Sequence, residues 1–174
     1  MMKGEFDEIE LKIKEILEKI AQQAVEDGGY TNEWWTKRIK SELCILGHEK
    51  GYSVSATGCE RLEKAPETGE WLFDLIWAKG EGHPWIFREM PLARECEWPL
   101  NENEIWWDFE KLLVIRSKYR IFIFDKRKRE DIERLFNEFN DAIHGFESSQ
   151  KGDRYLLAGF SCEDNNFKFR QVIA

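Results

Sequence analysis

Three acidic residues have the types and spacing for metal or acid–base chemistry: Asp74, Glu95 and Glu97. Asp74 lies inside Trp71 to Trp77 (WLFDLIW), an aromatic and apolar run that reads as a buried strand. An ionised carboxylate there costs several kcal/mol unless something compensates it. Glu95 and Glu97 stand two apart in Leu92 to Trp98 (LARECEW), the next expected strand, so both side chains point to one face. If the two strands pair, the three acids converge at one end of the sheet. Converging carboxylates raise one another's pKa unless a cation sits among them. Hard oxygen donors in that arrangement suit Mg²⁺ or Mn²⁺. The same pattern allows a plainer outcome, in which Asp74 faces water at a strand end or pairs with Arg94 or Arg88.

Other familiar sites are absent from the sequence. There is no GxxxxGK[ST] loop, no GxGxxG after a strand and no GxSxG elbow. His48, His83 and His144 lie in unrelated segments without an HExxH pairing. Cys44, Cys59, Cys96 and Cys162 are widely separated and contain no CxxC pair, which excludes a zinc knuckle. Free thiols in a reducing cytoplasm are the expectation.

The elements that must position the acids follow from hydrophobic spacing. Phe6, Ile9, Ile13, Ile16, Leu17, Ile20 and Ala24 predict an amphipathic helix over about 5–27, stopped at Gly28-Gly29. Thr31 or Asn32 can cap a second helix with Trp35, Ile39, Leu43 and Leu46 on one face, closing near Gly51. Ser53 to Thr57 is short and β-prone, and Gly80 to Pro84 is turn chemistry. Asn101 or Asn103 caps a helix over 103–118, with Ile105, Phe109, Leu112 and Leu113 inward. Tyr119 to Phe124 (YRIFIF) reads as a buried strand, followed by a helix from about Lys128 to His144. Tyr155 to Phe160 and Phe167 to Ile173 read as two final strands. A mixed sheet with helices on its faces is the economical packing, so the expectation is an α/β (α+β) chain forming one domain over 1–174.

Composition bounds the class. With 42% hydrophobic and 34% charged residues over 174 positions, the chain is globular and long enough to bury its own core. No apolar run reaches the ~20 residues of a membrane span, so no membrane is expected among its partners. The net charge of −8 argues against a protein that coats nucleic acid. Charge is uneven, however. Residues 60–110 hold five bases against thirteen acids, whereas 111–134 hold nine bases against four acids.

Helix, three strands, helix, strand, with an Asp on the second strand and Glu-x-Glu on the third, resembles the PD-(D/E)xK, or restriction-endonuclease-like, nuclease superfamily. The resemblance covers the core, about 32–124, with the 5–27 helix before it and a helix and two strands over 128–173 after it. It implies a restriction-endonuclease-like fold in which Asp74 and Glu95 match the acids that bind the catalytic Mg²⁺ or Mn²⁺. Glu42 matches the acid that the family often adds from its first core helix. Glu97 stands where the family has the lysine of its ExK motif, and some relatives recruit that lysine from the following helix. Lys111 is on that helix and shares a face with Glu104 and Asp108. The resemblance further implies hydrolysis of phosphodiester bonds in DNA or RNA, with dimers common for the fold.

Three features remain outside the motif. Lys126-Arg127-Lys128-Arg129 can touch a phosphate backbone or form a solvated helix start. In Trp34-Trp35 and Trp106-Trp107 the two side chains diverge by ~100° on a helix, so one of each pair should lie at a rim. The missing lysine and the acidic balance also suit a non-catalytic interaction or regulatory protein on the same fold. If the acids only repel, Asp74→Asn should raise or leave unchanged the metal-free melting temperature.

Overall fold

The computed structural model describes residues 5–29, 31–57, 72–98 and 101–174. Its elements run α1 (Glu8–Glu26), α2 (Asn32–Glu49), β1 (Ser53–Ala56), β2 (Leu75–Glu81), β3 (Ile86–Glu97), α3 (Glu102–Val114), β4 (Tyr119–Lys126), α4 (Arg129–Gly145), β5 (Arg154–Ser161) and β6 (Asn166–Ile173). The helices start where their caps dictate. Asp7 accepts hydrogen bonds from the Ile9 and Glu10 amides, and Glu10 reaches back to the Asp7 amide in a reciprocal capping box. The Thr31 hydroxyl accepts from Trp34 N and the Asn101 carbonyl from Glu104 N.

The six strands form one mixed sheet whose spatial order follows the chain, β1 to β6. The β1–β2, β2–β3 and β5–β6 pairs are antiparallel, while β3–β4 and β4–β5 are parallel and joined through α3 and α4. Both faces are covered, giving three layers. On one face Ile13, Leu17 and Ile20 of α1 and Ile39, Leu43 and Leu46 of α2 pack on Leu92, Ile121, Ile123 and Leu156. On the other, Ile105, Phe109 and Leu112 of α3 and Leu135, Phe136 and Phe139 of α4 pack on Ala93, Phe122, Phe124 and Leu157. Alternate residues of β4 serve opposite cores, as a strand buried on both faces requires. The molecule is thus a mixed α/β single-domain fold, with six strands and four helices among the described residues. No described helix is long and apolar enough to cross a membrane.

Three element limits differ from expectation. β2 begins at Leu75 and runs through Glu81, so Asp74 lies in a bend before the strand; Trp71 is outside the described residues. β3 starts at Ile86 rather than near Leu92, so the turn shrinks to 82–85. Ile86, Phe87, Arg88 and Glu89 are exposed, and this half of the hairpin is held by its ladder to β2. Pairing with β4 starts only at Leu92, so Pro91, which has no N–H, precedes the two-sided part of the strand. Finally, α3 ends at Val114 rather than near 118, where Ile115 turns extended and its carbonyl accepts from the buried Arg120 guanidinium.

The tryptophan pairs divide as their spacing requires. Trp35 is buried and Trp34 half-buried, while Trp107 is exposed and Trp106 half-buried against Phe109 and Phe139. Cys44, Cys96 and Cys162 are free thiols, and Cys59 lies outside the described residues.

Candidate functional site

The site forms where β2 begins and β3 ends. Because β2 and β3 run antiparallel with Leu75 opposite Arg94, the bend carrying Asp74 lies beside the C-terminal half of β3. Leu72, two residues earlier, holds φ 65°, a left-handed conformation that costs a branched residue about 1 kcal/mol and turns the chain into the strand. Asp74 Oδ2 then accepts from the Cys96 amide at 2.9 Å and from Arg94 Nη1 at 3.3 Å. Lys40 Nζ of α2 approaches Oδ1 at 4.0 Å. Arg94 is fully buried, and among the described residues its Nε and Nη2 have no hydrogen-bond partner. Asp74 is therefore both the acid expected at the site and the partner of Arg94, the pairing that the sequence left open.

Glu95 and Glu97 alternate with Arg94 and Cys96 along β3 and project together toward α3. Glu95 is 2% exposed, and Lys111 Nζ lies 2.8 Å from its Oε1. Lys111 also reaches Asp108 Oδ1 at 2.6 Å, one helical turn away. Burial pushes the Glu95 carboxyl up to about 7, with the Lys111 contact opposing and the charge of Asp74 adding to the rise. Burial raises Glu97 to about 7 as well, aided by a hydrogen bond with Asp108 and by the charges of Asp108, Asp74 and Glu104. Desolvation alone would lower Lys111, but its bonds to Asp108 and Glu95 hold its pKa above the ordinary lysine value. Cys96 between the two glutamates points to the other core, where burial pushes its thiol up to about 12 and leaves it inert.

Four of the residues expected at the site thus share one neighbourhood: Asp74, Glu95, Glu97 and Lys111. Glu42 is engaged elsewhere, in an i,i+4 ion pair with Arg38 at 2.9 Å. The residue of α2 that reaches Asp74 is Lys40, two positions before Glu42 and recognisable only once α2 is laid against the sheet. Asp108 completes the group and was visible in sequence as the i−3 neighbour of Lys111.

The charges define what the cluster can do. The acids Asp74, Glu95, Glu97 and Asp108 face the cations Arg94, Lys40 and Lys111, and two of the acids hold protons near neutrality. Near neutral pH these charges come close to balance, and the two raised carboxyls can take up or release protons. Among the described residues no group of three or more His, Cys, Asp or Glu side chains is arranged to hold a metal ion. Asp74 and Glu95 offer only oxygen donors, the type that a hard cation takes. The geometry as it stands is closed by Lys111 and Arg94. Comparison of the chain with protein-family profiles, with curated proteins and with solved structures finds no match in any of the three.

Proposed function

We propose that the chain is a divalent-metal-dependent phosphodiesterase of the restriction-endonuclease-like class, acting on nucleic acid through Asp74, Glu95, Glu97 and Lys111. The observation that carries this reading is the Lys111–Glu95 contact of 2.8 Å. The sequence has Glu97 where the superfamily places its lysine, and α3, the next element, brings the Lys111 ammonium to Glu95.

In this reading Asp74 and Glu95 hold Mg²⁺ or Mn²⁺, which supplies Lewis-acid polarisation of a phosphate when bound. Lys111, 44% exposed and bridging to the buried acid, donates to a non-bridging phosphate oxygen and offsets charge that develops there. Glu97, on the same face of β3 and hydrogen-bonded to Asp108, takes the proton of the attacking water. Arg94 fixes Asp74 from the opposite side, so the carboxylate keeps one orientation.

The test is cleavage of DNA and RNA in Mg²⁺ or Mn²⁺ by the full chain. Glu95→Gln and Asp74→Ala should abolish it. Cleavage undiminished in either variant refutes the assignment.

A second reading is favoured by one observation: each acid already has a protein cation, Asp74 with Arg94 and Glu95 with Lys111. A non-catalytic interaction protein on this fold needs no more. It predicts no cleavage of any nucleic acid and no effect of divalent ions on melting.

A further inference from the structure

We propose that the aromatic cavity at the carboxyl ends of β3, β4 and β5 binds a small organic cation carrying a quaternary ammonium group. The cavity lies on the α1–α2 face of the sheet, whereas Glu95 and Glu97 project toward α3, so the inference is independent of the nuclease reading. Alternation along the strands fixes its walls. Cys96, Ile123 and Ala158 belong to the α1–α2 core, and Trp98, Asp125 and Phe160 each stand two residues further on. Asp125 pairs with Phe160 across β4 and β5, and the β3–β4 ladder ends at Glu97 opposite Phe124, one residue before Trp98 and Asp125. The three residues therefore form one row across the sheet, with the carboxylate between two aromatic residues. Trp35 of α2 packs on both rings, at 5.9 Å from Trp98 and 4.9 Å from Phe160 between centroids. Open α/β sheets take their ligands outside the carboxyl ends of parallel strands, which is where this row lies.

The charge of the walls selects the sign of the ligand. The cavity has a volume of about 420 Å³, within the range of small-ligand pockets, and among the described residues Asp125 is its one charged lining side chain. That carboxylate accepts a hydrogen bond from Cys162 Sγ, a weak donor, at 3.6 Å. Lys126, the next residue, belongs to the other face, where it pairs with Glu102 at 3.7 Å. Burial raises the Asp125 carboxyl against the Cys162 bond and the Lys126 charge, as expected of an anion short of a partner. The C-terminal end of α1 and the N-terminal end of α2 both border the cavity, and their dipoles are opposite in sign. The carboxylate is left to decide, and it decides for a cation.

The aromatic residues select the kind of cation. Trp35, Trp98 and Phe160 offer π-systems that attract positive charge, and a quaternary ammonium needs no hydrogen-bond acceptors in return. The rings are tilted to one another by 49° and 48°, so they form angled walls rather than a closed stack. Their positions are set without a ligand. Trp98 Nε1–H donates to Thr36 Oγ1 at 2.8 Å, Asn32 Nδ2 donates to the Trp98 carbonyl at 3.4 Å, and Phe160 packs edge-on against Phe167 at 5.2 Å. Such preorganisation lowers the entropy lost on binding. The Asn165 carboxamide stands at the same cavity and can hydrogen-bond a hydroxyl on the remainder of the ligand.

The experiment titrates choline against the full chain and follows its methyl proton resonance. Two controls are the neutral alcohol in which carbon replaces the choline nitrogen, and ethanolamine, the cation without its methyl groups. Choline should bind saturably, with its methyl resonance moved upfield by the rings, and about ten-fold tighter than either control. Asp125→Asn keeps the shape of the wall and removes its charge, and should weaken choline binding about ten-fold. Trp98→Leu keeps an apolar wall without the π-face and should weaken it several-fold. Because Trp98 also packs on the core, Asp125→Asn decides the matter if the leucine variant fails to fold. No saturable choline binding, equal binding of the neutral alcohol, or wild-type binding by Asp125→Asn overturns the proposal. Ethanolamine binding as tightly as choline overturns the quaternary assignment. A peptide carrying trimethylated lysine that binds more tightly than choline would place the cation on a protein chain and overturn the small-ligand assignment. None of these outcomes depends on cleavage of nucleic acid.

Discussion

Lys111 Nζ lies 2.8 Å from Glu95 Oε1, joining a side chain that is 44% exposed on α3 to one that is 2% exposed on β3. The acid is buried and the cation reaches in from solvent, so the pair closes the end of the sheet. Removing the lysine leaves Glu95 buried and unmatched, which costs more than the pair contributes.

The first prediction is therefore a thermodynamic cycle. Lys111→Met should destabilise the fold by about 1–3 kcal/mol at pH 8. Glu95→Gln combined with Lys111→Met should recover part of that loss, because the amide carries no charge. Urea melts of the four proteins check it. Additive losses would mean that the two side chains do not interact.

Asp74 yields the second prediction, and the structure changes its sign. Simple repulsion among acids would make Asp74→Asn neutral or stabilising. The Arg94 contact of 3.3 Å and the Cys96 amide at 2.9 Å make it costly, because a fully buried guanidinium loses its carboxylate. The loss should be about 2–4 kcal/mol in the metal-free protein. A melting temperature at or above wild type would show that Arg94 is balanced without Asp74.

The third prediction concerns the contact that seats α2 on the sheet. An added Cβ at Gly47 would lie 2.5 Å from Trp77 Nε1 and 2.8 Å from Val54 Cγ2. Trp77 is fully buried and its indole N–H donates to the Leu43 carbonyl at 3.0 Å, so the ring cannot yield. Gly47→Ala should cost about 1–3 kcal/mol, measured by denaturant melting, despite the better helix propensity of alanine.

The fourth prediction is a pH dependence away from the site. Burial alone would raise the Asp7 carboxyl, but bonds from the Tyr119 hydroxyl and the Glu10 and Ile9 amides, with the charge of Arg154, bring it below the ordinary aspartate value. The folded state then binds this proton less readily than the unfolded state. Its contribution is present above the ordinary aspartate pKa and fades as pH falls through the lowered one. Asp7→Ala should cost about 1–2 kcal/mol near neutrality and progressively less in acid, read from melts between pH 7 and pH 2. A loss that does not shrink in acid would remove the charge from the explanation.

Local signals carried most of the fold. Ile13, Leu17 and Ile20 repeat at helical spacing, Thr31 and Asn101 stand where caps belong, and Tyr119 to Phe124 is apolar on both faces because both faces are covered. What sequence reading missed was set by contacts distant along the chain. The run around Asp74 looked like strand throughout, yet the left-handed Leu72 and the Arg94 pairing place Asp74 in a bend. Ile86 and Phe87 lie in an exposed hairpin that is laddered to β2, so hydrophobic burial gave no sign of it. At the site, Asp108 and Lys111 were legible as helix neighbours. Lys40 and Asp74 are 34 residues apart, and only the packing of α2 on the sheet brings them within 4.0 Å.

The most direct test of the account is single-turnover cleavage by Lys111→Met beside the wild type, in Mg²⁺ or Mn²⁺, with folding verified by circular dichroism. The wild type should cleave nucleic acid, stop on chelation, and lose at least about 100-fold in rate in the variant, since one preorganised donor to the developing charge is removed. A variant that cleaves at the wild-type rate, or a wild type that cleaves no DNA or RNA in either ion, would contradict the proposed site.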